Sequence, residues 1–123
     1  MNSARVKKIS KRSLPPEIKA AVQASQAKKG EEICVLDLRG VASFTDFFII
    51  MHGKTFRQNV ALSESIEQEL KNSELRPIGV EGAARGEWIL MDYGNFVVHI
   101  FSKHAREYYS LEKLWGDAPK LTY

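Results

Sequence analysis

Glu87-Trp88-Ile89-Leu90-Met91-Asp92-Tyr93-Gly94-Asn95-Phe96-Val97-Val98-His99-Ile100-Phe101 decides the fold. It reads as two strands, 88–92 and 96–101, around the short hairpin Tyr93-Gly94-Asn95, where Gly94 suits a positive φ. Residues 96–101 are largely apolar in both alternation phases. A strand that is apolar on both faces is covered on both, so helices are expected on each side of the sheet.

Downstream, Ser102 is placed to cap a helix over 103–114 with the stripe Ala105, Tyr108, Leu111 and Trp115. Gly116 and Pro119 close it, and 118–123 reads as a C-terminal tail. Tyr108 and Tyr109 are neighbours about 100° apart, so only one can face the core.

Upstream, Leu14-Pro15-Pro16-Glu17 opens a helix over 16–29, and Gly30 is the expected stop. Strands are expected over 33–38, 46–52 and 76–80. Between the last two lies a helix starting at Gly53-Lys54-Thr55-Phe56, with Thr55 and Gln58 spaced as a capping box. Phe56, Val60, Leu62, Ser63, Ile66 and Leu70 share its buried arc. The result is one α/β domain over 14–117, a mixed five-stranded sheet flanked by helices.

At 123 residues, with 44% hydrophobic and 27% charged side chains, the chain has the composition of an ordinary globular domain. Phe47–Met51 is its longest apolar run, far short of the ~20 residues that span a bilayer, so no membrane partner is expected. The lone Cys34 excludes an internal disulfide and fits a reducing, cytoplasmic compartment. Eight of the 18 basic residues lie in 1–29 beside one acid, Glu17, leaving ten basic against 14 acidic residues in the rest. Residues 1–13 therefore read as a basic arm. A solvated tail, a phosphate-binding arm and a short organellar targeting piece are the readings left open.

Enzymatic signals are incomplete. His52-Gly53-Lys54-Thr55 resembles the end of a phosphate-binding loop, but Phe48 stands where that motif needs its first glycine. Asp37, Asp46, Glu81 and Asp92 lie near strand ends, yet no strand carries the acid-x-acid pair of a two-metal site. His52, His99 and His104 lack zinc spacing, and no serine sits in a nucleophile elbow. We therefore expect no catalytic residue, no metal site, no cofactor and no small-molecule substrate. Trp88 reads either as a core residue or as an aromatic anchor for a partner, with Tyr93 exposed on the adjoining turn and His99 either hydrogen-bonded inside or facing that partner.

Several blocks occur together in order: Thr45-Asp46-Phe47-Phe48, Gly53-x-Thr55-x-Arg57, Val80-Glu81-Gly82, Trp88-x-x-x-Asp92-Tyr93-Gly94, Val98-His99 and Arg106-x-x-Tyr109-x-Leu111-Glu112-x-Leu114-Trp115. Over 14–117 the chain resembles the ribosomal silencing factor family, also called Iojap-like. The resemblance implies a nucleotidyltransferase-like fold without the catalytic acids, and no enzymatic activity. It implies binding to the large ribosomal subunit at ribosomal protein number fourteen (uL14), steric exclusion of the small subunit, and lowered translation under nutrient limitation. It implies a homodimer when free, in bacterial cytoplasm or in organelles. Carried over by position, the docking face comprises Trp88, Met91, Asp92, Tyr93 and His99, supported or extended by Arg57, Arg106, Tyr109 and Glu112. Asn95 replaces a common aspartate, and Lys54 a common small residue. The rival reading is a nucleotide-binding or nucleotidyl-transfer enzyme of the related fold. Contact between the basic arm and ribosomal RNA is a separate expectation.

Overall fold

A computed structural model describes residues 9–123. A short 3-10 turn, Lys11–Ser13, precedes α1 (Pro16–Ala27), β1 (Glu31–Asp37), β2 (Phe47–Gly53) and α2 (Phe56–Lys71). Then come β3 (Gly79–Glu81), β4 (Trp88–Asp92), β5 (Phe96–Ser102), α3 (Lys103–Tyr109), α4 (Leu111–Leu114) and β6 (Lys120–Thr122). The sheet order is β3-β4-β5-β2-β1-β6. Only β2 and β5 run parallel, Phe47 beside Phe96 through Gly53 beside Ser102. The return from β2 to its parallel neighbour passes through α2, as a crossover requires.

Strand alternation divides the core in two. Ile33, Val35, Ile49, Met51, Ile89, Met91, Val98 and Ile100 meet Ile18 and Val22 of α1 and Leu62, Ile66 and Leu70 of α2. On the other face Cys34, Leu36, Phe48, Ile50, Val97 and Phe101 meet Ala105 of α3, with Trp88, Leu90, Leu111 and Trp115 only partly covered. The doubly apolar β5 is thus sandwiched between helices. However, α3 and α4 total 11 residues, too few to cover a six-stranded sheet.

Four expectations are corrected. The sheet has six strands, because the supposed tail pairs with β1: Cys34 lies beside Thr122 and Leu36 beside Lys120. The final helix breaks at Ser110, which takes φ 49° and ψ 50°. Arg106 and Glu112 are six residues apart, some 240° around a straight helix, and only the break lets their side chains meet. Tyr108 consequently leaves the apolar stripe and is 74% exposed. Phe56 also leaves its arc, at 50% exposed, and Asn59 is buried instead, its Nδ2 donating to the Gly86 carbonyl at 2.7 Å.

Helix ends show where local rules hold. Thr55 Oγ1 accepts from the Gln58 amide at 3.0 Å, but Gln58 Oε1 reaches back to the Lys54 amide rather than to Thr55. At the end of α1, Lys29 takes the positive φ of 64°, not Gly30. Gly30 sits at a close approach: a Cβ there would lie 3.3 Å from Leu62, Met51 and the Ser25 carbonyl. Of the basic arm, residues 1–8 lie outside the described residues. Residues 11–13 form a turn in which the Ser10 and Ser13 side chains cap each other, and Lys11 Nζ lies 4.3 Å over the Tyr123 ring.

Candidate functional site: a half-covered aromatic face

Rings run without a break across the thinly covered face. Tyr108 and Tyr109 are 5.1 Å apart, and Tyr109 is 4.5 Å from Trp88. Trp88 leads to His99 at 6.0 Å, and His99 to Phe48 at 4.4 Å in a T-shaped pair. Phe48 and Trp115 both lie within about 6 Å of Phe44. Strand pairing builds the centre of this path, because Trp88 lies opposite Phe101 and Leu90 opposite His99. Its ends are open: Phe44 is 60% exposed, with Leu114 exposed near Trp115.

Trp88 Nε1 donates to His99 Nδ1 at 3.1 Å. A neutral His99 accepting at Nδ1 carries its proton on Nε2, which is buried with no partner among the described residues. Burial drives the His99 pKa down to about 4, so the ring is neutral near pH 7. Asp92 shares the Trp88 face, and its Oδ1 accepts the Gly94 amide at 2.8 Å, which fixes the hairpin.

Met91 and Tyr93 do not belong to this face. Alternation turns both to the α1–α2 side, where Met91 is fully buried and Tyr93 stacks on Phe96 at 4.8 Å. Neither can touch a partner while the core is intact, and the expectation of an exposed Tyr93 is corrected. Burial and the nearby Glu67 push the Tyr93 phenol up to about 12. Arg57 is exposed on the first turn of α2, the helix that covers the opposite face.

Arg106 and Glu112 are internal struts. Arg106 Nε and Nη2 donate to the two Glu112 oxygens at 2.9 and 3.0 Å, and Nη1 reaches the Glu31 carbonyl at 3.3 Å. Arg106 Nη1 also lies 3.0 Å from His52 Nδ1. With Nδ1 accepting, His52 Nε2 donates to Glu31 at 3.3 Å. Lys120 Nζ, from β6, meets Glu112 at 3.2 Å. Hydrogen bonds from Arg106 hold the Glu112 carboxyl at about 2, against the opposing effect of burial. Burial and then the Arg106 charge lower the His52 pKa. Burial, followed by Glu112, pushes the Cys34 thiol up to about 12, so it is no nucleophile. This network ties the α3–α4 elbow to β1, β2 and β6, and so sets where Tyr109 and Trp115 stand.

The acids near strand ends are dispersed. Asp37 pairs with Arg39 at 2.8 Å and Asp92 serves its turn. Among the described residues no three His, Cys, Asp or Glu side chains gather as a metal-ligand set. No helix among them is long and apolar enough to cross a membrane. The reading of single residues missed Phe44, which lies between β1 and β2, and the roles of the buried Arg106 and the part-buried Glu112 as a pair. A backbone turn at Ser110 makes that pair, and no local residue pattern announces it.

The profile of a family described as "Ribosomal silencing factor during starvation" matches residues 11–123. The ribosomal silencing factor of Bacillus subtilis is 39% identical over 102 residues, covering 83% of this chain and 86% of the relative. A mouse protein named "Mitochondrial assembly of ribosomal large subunit protein 1" is 28% identical, covering 80% of this chain and 45% of that one. A crystal structure of a Chromobacterium violaceum protein superposes with a TM-score of 0.79 at 37% identity, covering 81% of this chain and 83% of that one. The chain belongs to the ribosomal silencing factor family, a regulatory rather than catalytic group with a role in silencing ribosomes.

Proposed function

We propose that this protein is a steric inhibitor that docks its aromatic face on the large ribosomal subunit, at ribosomal protein number fourteen (uL14), and bars the small subunit by volume. The observation that carries this reading is the ring path whose ends, Tyr109 and Phe44, are exposed and whose Trp88 and Trp115 are partly exposed, backed by the buried rings of His99 and Phe48. Such a patch, left open by a short elbow of helix, has the aromatic content of an interface centre. Trp88, Asp92 and Tyr109 carry the docking; His99, only 3% exposed, lies inside rather than facing a partner and orients the Trp88 indole from behind, and Arg106 and Glu112 hold the elbow. Asp46, Asp92 and the sheet-edge Glu81 supply negative charge for a basic protein surface. The inhibitor turns over no substrate, and the free chain pairs as a homodimer in the cytoplasm.

Sedimentation with purified subunits tests this. The protein pellets with large subunits, stays in the supernatant with small ones, and competes with small subunits for large ones. Trp88→Ala weakens binding by at least about 2 kcal/mol, a roughly thirtyfold loss, if Trp88 is an anchor. A folded Trp88→Ala variant with unchanged affinity removes this face from the docking site. Calorimetric binding of a metal–nucleoside triphosphate would favour the enzymatic reading instead.

A further inference from the structure

The carboxyl ends of the parallel pair form a second surface of opposite character. The helices that follow β2 and β5 leave to opposite faces, α2 beside α1 and α3 beside Phe101, so the chain parts there. A cavity of about 470 Å³ opens at this point, lined by His52, Gly53, Lys54, Phe56, Ser102 and Lys103 among others. Phe56 on its rim is 50% exposed. The 82–86 loop lies against it, since a Cβ on Gly86 would come within 2.7 Å of the Phe56 carbonyl. That loop carries Arg85, whose side chain is 83% exposed, and Lys54 and Arg57 are exposed on either side of Phe56 in sequence. Two of the acids here are paired, Glu31 with His52 and Lys54 and Glu87 with Arg85, while Glu32 and Glu107 line the adjoining pocket on the far side of Lys103. At the opposite ends of the strands stand Asp37, Asp46 and Asp92. Arg39 pairs with Asp37 there, so Asp46 and Asp92 leave that end with the negative excess that polarises the sheet along its strands.

We infer that this cationic crest is a binding surface for single-stranded RNA. Lys54, Arg57, Arg85 and Lys103 meet phosphates, and Phe56 offers its ring to an unstacked base at the cavity mouth. A lone exposed ring beside a cavity suits a strand rather than a duplex, whose base faces are hidden. RNA is the relevant polyanion because the family acts on ribosomes. The surface is separate from the Trp88 face, so the two readings stand or fall apart.

Fluorescence anisotropy with the full chain and a labelled oligouridylate of ~12 nucleotides tests it, titrated between about 50 and 200 mM salt. The Lys54→Ala/Lys103→Ala double variant lowers the slope of log affinity against log salt by about 1.4, at about 0.7 per lost phosphate contact. Phe56→Leu weakens binding about tenfold with the slope unchanged. Trp88→Ala leaves RNA affinity unaltered. Circular dichroism checks that each variant is folded. The inference is overturned if the double variant keeps the wild-type slope and affinity, if deletion of residues 1–8 alone abolishes binding, if an RNA duplex binds better than the strand, or if no binding occurs at the lowest salt.

Discussion

Replacing Glu112 by glutamine probes the strut that holds the α3–α4 elbow. The carboxylate receives two bonds from Arg106, at 2.9 and 3.0 Å, and one from Lys120 at 3.2 Å. Together they hold its pKa at about 2, against 4.5 for an unperturbed carboxyl. At about 1.4 kcal/mol for each pH unit between folded and unfolded values, that separation sets an upper limit of about 3 kcal/mol. A quarter of the Glu112 side chain meets water. Screening there lowers the expected contribution to about 2 kcal/mol. The sign follows from a depressed folded pKa. The contribution is complete above about pH 4.5, where the unfolded chain is also ionised, and disappears as pH falls toward about 2. Glu112→Gln keeps the shape and removes the charge. Urea unfolding, followed by the fluorescence of Trp88 and Trp115, should place the variant about 2 kcal/mol below wild type at pH 7. That gap should hold to about pH 4.5 and narrow steadily below it. A gap of the same size at pH 7 and pH 3 would falsify the view that carboxylate charge fastens the elbow.

Three further outcomes follow from the same geometry. Burial lowers the His99 pKa from 6.5 to about 4, so wild type loses stability as pH falls from about 6.5 toward 4, where only the unfolded chain takes the proton. His99→Gln should lose that part of the pH dependence in the same urea series; an identical slope contradicts a buried neutral ring. Gly82 has φ +83°, and a Cβ there would collide with the Trp88 carbonyl oxygen. Gly82→Ala should cost at least about 2 kcal/mol and lower Tm by roughly 8 °C by calorimetry, whereas an unchanged Tm refutes the close approach. Removing residues 119–123 strips β6 from β1 and takes away the Lys120–Glu112 contact. The chain should lose at least about 2 kcal/mol and associate beyond the wild-type state through the bared edge, seen as concentration-dependent light scattering; an equally stable chain with wild-type scattering argues against β6 as a structural strand.

Residue order alone determined the two-sided sheet, because Phe96–Phe101 is apolar in both phases and such a strand must be covered twice. It also determined the caps at Thr55 and Ser102, whose hydroxyls accept the amides three residues on. The face shared by Trp88 and Asp92 was legible too, since strand alternation is local. Local pattern also separates Met91 and Tyr93 from Trp88, yet motif resemblance grouped them together; a motif reports shared positions, not shared faces.

What lay beyond the sequence depends on contacts between distant segments. Phe56 has the right helical phase to be buried, but the 82–86 loop packs on its backbone and leaves Asn59 inside. Residues 118–123 have the look of a tail, and become a strand because β1 presents an unpaired edge to them. The break at Ser110 carries a positive φ that serine does not favour. It is sustained by the Arg106–Glu112 pair and by their anchorage to Glu31, His52 and Lys120. Helical and strand periodicity are properties of a few neighbouring residues and can be read along the chain; which helix overhangs, which edge is free and which buried charge finds its partner are settled only when the whole chain competes for the same space.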